Sequence, residues 1–555
     1  MDPLSIAGLT LTAVDQLFKI GERTSELISN FRGFDHDTRV LETKIRDNNA
    51  RTKLLQQLLF DTSSTYHGRT LFEQFDPEVQ NHIQLFFEQA IGIIEQAHQL
   101  LSRRQNPATP SNIDLIAFPK LPSPSSSIFL SSPDSSKTNS FESHEISKKP
   151  SRTFQRLRWS LLDKKRVETI VREFSDVNNR IHENIKLWCL GTTIGVDLQH
   201  LRHLEEDVSS RALGFDIDAK LRLAASTEQS LPGTLEVHQD GNLRNELWSA
   251  IHVEERFGIM ETSDRSMLIE YRYYAPESPV PVEMDTRTHD LVDSLAKLLH
   301  QPKGTVFRTP SCWGWARQAQ QNRVAFMFSI PEGREPRPAS LYKILGSSPQ
   351  PPSLGQRFNL ALQLARCISH LQLVKWVHKS FRSENILFFP PLLKSESASA
   401  ASLQPYVDFS DPWVLGYEFS RPEKYFSHGQ SDRCVTRDVY RHPDRQGKPT
   451  ELFTKVHDIY ALGVVLLEIG LWQQATSLDK SGFAKVRDPH DIKKQLVRHA
   501  EKRLASKMGE KYQRLVLTCL QNDFEVANDT KEDLKLQQAF RSQVLAVLEN
   551  AAKYI

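Results

Sequence analysis

The side chains best suited to chemistry lie in one short stretch, between the imidazole of His378 and the amide of Asn385. Ser380 follows the histidine closely and offers a hydroxyl. A group that accepts a proton from a substrate must titrate near the working pH, as carboxylates and imidazoles can. Since a serine hydroxyl does not titrate near neutrality, the sequence predicts poor general-base chemistry at this position.

The stretch His378-Lys379-Ser380-Phe381-Arg382-Ser383-Glu384-Asn385 resembles the catalytic loop of protein kinases, in which His-Arg-Asp leads to an asparagine. The resemblance implies that Ser380 stands where a kinase has its catalytic base, with His378 and Asn385 retained. We expect these three residues to be remnants of a kinase loop, with no catalytic residue among them. The corresponding prediction is a pseudokinase, and an atypical active serine/threonine kinase is the alternative.

By the same resemblance, Val414 to Arg421 lies where kinases carry Asp-Phe-Gly, and Gly416 falls at the position of the metal-binding aspartate. Mg²⁺ is held there by carboxylate oxygens, whereas Gly416 offers only its backbone carbonyl. Glu418 lies nearby and is a weak substitute. We therefore expect no metal site, and no cofactor is certain; ATP with Mg²⁺ is the disfavoured alternative.

A nucleotide cleft would also need a glycine-rich loop and a basic residue on a neighbouring strand. The glycines upstream are isolated, and Leu268-Ile269-Glu270-Tyr271-Arg272 puts Arg272 where a kinase has its lysine. In the helix that follows, Asp290 and Asp293 are the carboxylates available to pair with it. Arg272 and Asn385 are the nucleotide-binding candidates, but an Arg272 at the surface without a ligand is the favoured interpretation.

Lys455 to Glu468 resembles the kinase helix that opens with a buried aspartate, which implies structural roles for Asp458 and Glu468. In kinases that aspartate accepts hydrogen bonds from the backbone of the catalytic loop. Tyr440 to Asp444 resembles the end of an activation segment. Cationic and hydroxyl side chains share the preceding segment, so a phosphate added by another kinase could order it. A mobile polar loop is the favoured interpretation of that segment.

Downstream of about residue 245, the pattern predicts a small lobe with a sheet and a larger helical lobe. The strands are expected at Ser266 to Tyr274 and Arg323 to Ile330, and the helices at His289 to His300, Gln356 to Leu373 and Asp458 to Leu471. This half, residues 246–550, is predicted to be an α+β bilobal protein-kinase-like domain.

Upstream, apolar residues recur at three- and four-residue steps and predict four amphipathic helices. Their stripes run from Leu4 to Phe18, Leu41 to Leu58, Val79 to Leu101 and Val167 to Trp188. Helices with one apolar face each are stable when they pack as a bundle. The chain is thus predicted to be multidomain, with an all-α helical bundle at 1–210 and a linker at 211–245.

Within the bundle, residues from about 103 to 152 are rich in serine and proline, which predicts a disordered loop. A plain spacer is the favoured interpretation, and phosphorylation of its serines is the alternative. Lysines and arginines between Lys148 and Arg166 follow this loop and could contact anionic lipid. A solvated helix entrance is the simpler interpretation.

The first helix is apolar on nearly all sides, and its effector candidates are Leu4, Ile6, Leu9, Leu11, Val14 and Phe18. Such a helix is either central to its bundle or intended for another apolar environment. Its uncharged part, Pro3 to Val14, spans roughly 18 Å, which is short of a hydrocarbon core of about 30 Å. One copy therefore cannot cross a bilayer alone, and a central packed helix without further role is the alternative.

The opening Met1-Asp2-Pro3-Leu4-Ser5-Ile6-Ala7-Gly8-Leu9 and the turn Phe34-Asp35-His36-Asp37 resemble the HeLo domain of fungal prion-inhibition and heterokaryon-incompatibility proteins. The resemblance covers about residues 1–210. It implies a helical bundle that self-associates and, in some members, damages membranes through a released N-terminal segment.

Composition limits the classes of function. The 555 residues suffice for about three to four folded units. The 70 Lys and Arg against 68 Asp and Glu leave a net charge of +2, so no nucleic acid partner is expected. The five cysteines lack metal-ligand spacing, which predicts reduced thiols. The charge pattern of the first residues is not that of a secretory signal, so we expect a cytoplasmic protein that is recruited to a membrane on activation.

The leading hypothesis is a signalling protein in which a self-associating, membrane-active HeLo-like bundle is controlled by a catalytically defective kinase-like domain. Fungal incompatibility or cell-death signalling is the process that the resemblance implies. The expected partners are a second copy of the bundle, an anionic membrane surface, and an upstream kinase or receptor. A passive oligomerising scaffold is a further alternative.

Overall fold

The computed structural model describes residues 3–29, 36–105, 164–226, 233–237, 241–254, 256–275, 278–347, 350–392, 407–417, 435–446, 452–481, 483, 485–486 and 488–555. Two compact units are formed, Met1–Asp61 with Asp76–Glu183 and Thr62–Phe75 with Asn184–Ile555. Glu418, the Phe34-Asp35 pair, most of the serine- and proline-rich segment and most of the basic cluster that follows it lie outside the described residues.

The N-terminal region is helical, as predicted. Its long helices are α1 (Pro3–Ser29), α2 (His36–Phe60), α3 (Pro77–Gln105) and α4 (Lys164–Gly191), the last of which continues into the second unit. Helix α3 begins at Pro77, whose fixed φ suits the first helical position. The predicted stripe of α4 is buried throughout, from Val167 to Trp188.

The buried face of α1 is shifted from the predicted stripe. Ile6, Val14 and Leu17 are buried, Leu11 and Phe18 are half-buried, and Leu9 is 55% exposed. Thr10 is a polar residue on the buried side of the helix. Its burial is tolerated because its hydroxyl donates to the carbonyl of Ile6 at 2.8 Å. Hydrophobicity alone cannot anticipate a buried threonine that satisfies its hydroxyl within the helix.

Short helices α5 (Leu198–Glu206), α6 (Val208–Leu213) and α7 (Asp216–Ser226) open the main part of the second unit, and α8 (Gly241–Trp248) precedes its sheet. The strands are β1 (Ile251–Glu254), β2 (Phe257–Glu261), β3 (Ser266–Tyr273), β4 (Cys312–Gln318) and β5 (Arg323–Ser329), in the antiparallel order β1-β2-β3-β5-β4. Helix α9 (Thr286–His300) lies between β3 and β4 in sequence. The small antiparallel sheet and the interposed helix confirm the α+β prediction at this level.

The pleat of β3 decides which of its side chains face the main core. Leu268 packs in that core with Phe257 and Phe326, whereas Ile269 and Tyr271 pack on the opposite face of the sheet. Successive strand residues point to opposite faces. Glu270 and Arg272 therefore share the face of Leu268, and Glu270 lies opposite Phe326 in the register with β5.

The rest of the unit is mainly helical. A three-stranded sheet is formed by β6 (Ala339–Ser340), β7 (Ile386–Phe388) and β8 (Trp413–Val414). The helices are α10 (Leu341–Ser347), α11 (Leu354–Leu373), α12 (Val435–Asp438), α13 (Lys455–Leu471), α14 (Pro489–Met508), α15 (Glu510–Gln521), α16 (Leu534–Phe540) and α17 (Ala546–Tyr554).

Almost every residue of α13 is buried. Apolar side chains on all sides of the helix fit this position, because the main core surrounds it. Within the described part of the chain, no helix has both the length and the apolarity required to cross a membrane.

Candidate functional site

The loop before β7 is fixed by a carboxylate at the start of α13. Asp458 is buried and accepts hydrogen bonds from the backbone N–H groups of His378, at 2.6 Å, and Lys379, at 3.0 Å. Burial raises the pKa of Asp458 to about 7, although the two N–H groups lower it. These bonds hold Lys379 in the left-handed region, with φ of 65°. The carboxylate thus positions the loop and is not directed at a substrate.

The three loop residues predicted from the sequence lie together and bond to one another. The amide of Asn385 donates to the backbone carbonyl of Ser380 at 2.8 Å, and lies 3.3 Å from its hydroxyl. The N–H of Ser380 donates to Nδ1 of His378 at 3.3 Å. Burial lowers the pKa of His378 to about 3, and its ring packs on Tyr417 at 4.3 Å between centroids. None of these three side chains therefore titrates near neutrality.

The backbone at Gly416 leaves no room for a side chain. Its φ is 80°, and a Cβ at this position would lie 2.2 Å from the side chain of Asn385. The N–H of Gly416 donates to Oε2 of Glu270 at 3.2 Å. A carboxylate could be accommodated at position 416 only if Asn385 moved.

Arg272 is paired within its own strand. It is buried, and its Nε and Nη2 lie 2.9 and 2.8 Å from Oε1 of Glu270, which is also buried. The guanidinium lies over the ring of Phe326, 4.8 Å from its centroid. The interpretation of Arg272 as a surface residue is therefore wrong. Residues two apart on a strand share a face. Glu270 of the same strand therefore pairs with Arg272, in place of the aspartates of α9 that the sequence suggested.

The aspartates of α9 have other partners. Asp293 accepts hydrogen bonds from the Thr234 hydroxyl at 2.7 Å and the Leu235 N–H at 2.8 Å, and pairs with Lys297 at 2.8 Å. Burial raises the pKa of Asp293, but these donors outweigh it and hold the pKa below its ordinary value. Asp290 is largely exposed beside His289. Asp293 thus anchors the segment before the sheet to α9.

A second buried carboxylate ties the loop to the later segment. Oε1 of Glu468 accepts from the Tyr440 hydroxyl at 2.6 Å and the Ala475 N–H at 2.8 Å. The Tyr440 hydroxyl also lies 2.8 Å from that of Ser383. Burial raises the pKa of Glu468 to about 7. The network connects α13, the loop and the segment after α12.

A small cavity of about 20 Å³, partly open to solvent, lies between the loop, the segment after α12 and the start of α13. The cationic side chains that line it are Lys379, Arg382, Arg437, Arg441 and Arg445. The sequence indicates that the segment before Pro443 is cationic. The sequence does not indicate that Lys379 and Arg382 of the loop add their charges, because only the fold brings the two segments together. We call this feature the basic cavity.

His442, Asp444 and His457 form a cluster at the edge of the basic cavity, with possible ligand atoms within 4.8 Å of one another. The Thr454 N–H donates to Nδ1 of His457 at 2.8 Å. An accepting Nδ1 leaves the proton of the neutral ring on Nε2, so neither nitrogen has a lone pair for a metal. We interpret the cluster as a hydrogen-bonded network in which His442 lies 3.1 Å from Asp444.

Two comparisons with known proteins bear on the chain. A serine/threonine-protein kinase-like protein of Arabidopsis thaliana is 32% identical over 143 residues. The match covers 26% of this chain and 36% of the plant protein, so the chain spans about a third of that relative's length. A family model described as Domain of unknown function (DUF7580) matches residues 260–555, which is more than half of the chain and includes β3, the loop, the basic cavity and α13. The chain belongs to the DUF7580 family.

Proposed function

We propose that the chain is a regulatory protein whose kinase-like C-terminal half does not transfer phosphate and controls the N-terminal helical bundle. The observation that carries this proposal is the buried ion pair of Glu270 and Arg272. The similarity to a kinase-like plant protein supports a kinase-like ancestry for the region. The kinase resemblance aligns Arg272 with the lysine that holds ATP phosphates.

The ion pair opposes nucleotide binding for an electrostatic reason. The Arg272 guanidinium is neutralised by a carboxylate from the same strand, and that carboxylate also accepts the N–H of Gly416. A triphosphate would have to displace Glu270 and leave its charge buried beside the phosphates. Removing one partner of a buried ion pair costs about 3–5 kcal/mol. The arrangement therefore disfavours ATP.

The positions of Gly416 and Ser380 oppose catalysis even if ATP were bound. Phosphoryl transfer in kinases needs a metal-binding carboxylate and a base that orients the substrate hydroxyl. Gly416 lacks the first, and a Cβ at this position would overlap the side chain of Asn385. Ser380 supplies a hydroxyl that bonds within the loop. The region is thus better suited to hold a shape or bind a partner than to transfer a phosphoryl group.

Titration of the full-length protein with ATP, with and without Mg²⁺, tests the proposal. A ligand that binds only the folded state raises the Tm, so we expect the Tm to stay constant. A phosphotransfer assay run beside it should give no signal above that of the Asn385→Ala variant. A Mg²⁺-dependent rise in Tm together with transfer that Asn385→Ala abolishes would instead support an atypical kinase.

For the N-terminal half, we propose a HeLo-like bundle that self-associates and acts at an anionic membrane surface. The support is the sequence resemblance together with the 55% exposure of Leu9, an apolar residue of α1. An upstream kinase or receptor would provide the trigger, and fungal incompatibility or cell-death signalling would be the process. A passive scaffold would self-associate without affecting membranes.

A further inference from the structure

A short segment ahead of the sheet, residues 233–237, is bound along the outer side of the edge strand β4. The N–H of Val237 donates to the carbonyl of Trp315 at 2.8 Å, and the N–H of Trp315 donates to the carbonyl of Leu235 at 3.1 Å. The pairing is parallel, with Glu236 opposite Trp315. The outer side of an edge strand has backbone groups that its own sheet does not pair. We call residues 233–237 the strap, because they cover part of this side of β4.

The strap also binds α9. The carboxylate of Asp293 accepts hydrogen bonds from the hydroxyl of Thr234 at 2.7 Å and from the N–H of Leu235 at 2.8 Å. Four residues before Asp293 on the same helix, Nε2 of His289 lies 3.0 Å from Oε2 of Glu236. The strap thus lies against both the edge of the sheet and the helix.

The strap fits closely against β4 although it is not deeply buried. Gly314 leaves room for it, because a Cβ at that position would lie 2.8 Å from the carbonyl oxygen of Leu235 and 3.1 Å from Cγ2 of Val237. Thr234 is exposed, and Leu235 and Val237 are half-buried. Half-exposed segments of this kind open locally while the core stays folded.

Acidic side chains surround His289. Its Nε2 contacts Glu236, its Nδ1 lies 3.6 Å from Asp290, and Asp293, which pairs with Lys297, adds to the negative field. From β4, an uncharged indole ring packs on the imidazole. The hydrogen bond with Glu236 raises the pKa of His289 above its ordinary value, although burial lowers it. Loss of the proton removes the positive charge that Glu236 faces and leaves this carboxylate beside two others.

We propose that the strap is a pH-sensitive clamp on α9, closed while His289 is protonated and loosened when the proton is lost. Because the contact with Glu236 raises the pKa of His289, the proton stabilises the closed strap fully below the ordinary pKa of 6.5. This contribution is lost as the pH rises through the raised value. The strap belongs to the segment that the sequence predicts as the linker between the two halves, so its opening changes how firmly that linker holds α9.

Hydrogen–deuterium exchange of the full-length protein, followed by mass spectrometry, tests this inference. The strap amides are compared between about pH 6 and about pH 8, the range in which a histidine loses its charge. Rates are corrected for intrinsic exchange, and the amides of β3 and β5 serve as the reference. We expect protection of the strap to fall about twofold to fivefold across this range, as for a partly exposed ion pair. Protection of the reference strands should stay constant.

Variants separate the charge from the fit. His289→Gln keeps a donor for Glu236 but removes the charge, so it should abolish the pH dependence. His252→Gln changes a histidine of β1 and is the matched control, which should retain the pH dependence. Gly314→Ala should displace the strap and lower its protection at least about tenfold at both pH values. In Gly304→Ala the added Cβ would make only ordinary contacts, so protection should be unchanged.

Three results overturn the inference. The first is a strap whose pH dependence equals that of the reference strands in the unmodified protein. The second is a pH dependence that persists in His289→Gln. The third is an unchanged protection of the strap in Gly314→Ala, which would show that the segment does not lie on β4. None of them bears on the ATP titration, because that experiment concerns the Glu270–Arg272 pair.

Discussion

Gly416 is the residue at which local geometry most restricts the chemistry of the site. Its positive φ favours glycine, and a Cβ at this position would lie 2.2 Å from the side chain of Asn385. Gly333 provides a comparison, since it has a similar φ of 69° but open space around the position of a Cβ. A substitution at Gly333 therefore measures backbone strain alone, whereas one at Gly416 adds the overlap with Asn385.

We expect Gly416→Ala to lower the free energy of unfolding by about 3 kcal/mol, and Gly333→Ala by about 1 kcal/mol. Both variants incur the strain of a positive φ, and only the first also overlaps Asn385. Adding Asn385→Ala to Gly416→Ala should recover about 1 kcal/mol, because the overlap is removed. Urea unfolding followed by tryptophan fluorescence measures these values. Equal losses in the two single variants would show that no steric restriction exists at position 416.

Arg272 shows what could be read from the residues of one strand and what was overlooked. The sequence predicts the strand and the basic residue at this position. It also contains the signal for the partner, since a charged pair two residues apart in an apolar strand must share one face and pair if buried. The prediction failed because it sought the acid in the following helix, as the kinase pattern suggests, instead of on the strand itself.

At the level of elements, a buried ion pair joins α4 to the helices that follow it. Lys186 of α4 lies 2.7 Å from Asp218 of α7 and also donates to the carbonyl of Gly214. Both side chains are buried. The pair therefore connects α7 to the C-terminal end of α4.

Removal of one partner should cost more than removal of both. We expect Asp218→Ala to destabilise the protein by about 3–5 kcal/mol, since an unpaired ammonium remains buried, and Lys186→Met/Asp218→Ala by much less. Asp491→Ala, which breaks the exposed pair with Lys494, is the control and should change stability by under about 0.5 kcal/mol. Thermal unfolding at neutral pH measures all three. A double variant as unstable as Asp218→Ala would contradict this account.

The boundaries of these elements follow from local signals to a large extent. The predicted strands at Ser266 and Arg323 begin where the structure has them, and α3 begins at Pro77. Helix α13 begins at Lys455, before the predicted start at Asp458. The earlier start follows from a capping box that Thr454 and His457 form. The usual capping box has Glu or Gln at the third helical position, so the sequence pattern does not indicate a box with histidine there.

On the scale of the whole molecule, the proposed membrane action of α1 depends on the apolar side chains that the helix exposes. Leu9 is exposed on α1, whereas Leu17 of the same helix is fully buried. A charge at Leu9 should leave the bundle folded, and a charge at Leu17 should unfold it. Leu85 on α3 is 60% exposed and offers a matched surface position.

We expect Leu9→Glu to change the free energy of unfolding by under about 0.5 kcal/mol. It should nevertheless reduce self-association, measured by light scattering, and dye leakage from vesicles that contain anionic lipid. Leu85→Glu should leave both unchanged. Self-association without leakage in the unmodified protein would favour the scaffold, and leakage that Leu9→Glu does not alter would exclude α1 as the effector.

The sequence by itself determined the helical N-terminal region, the presence of a small sheet in the second half, the helix that begins near Asp458, and the serine and glycine at positions 380 and 416. These features depend on periodicity and on residue identity, both of which are local. Only the tertiary structure decided the burial of Arg272 against Glu270, the contact of Gly416 with Asn385 and the assembly of the basic cavity. Each of these joins residues far apart in the chain or depends on which face of an element is covered, and such information arises only when the elements pack.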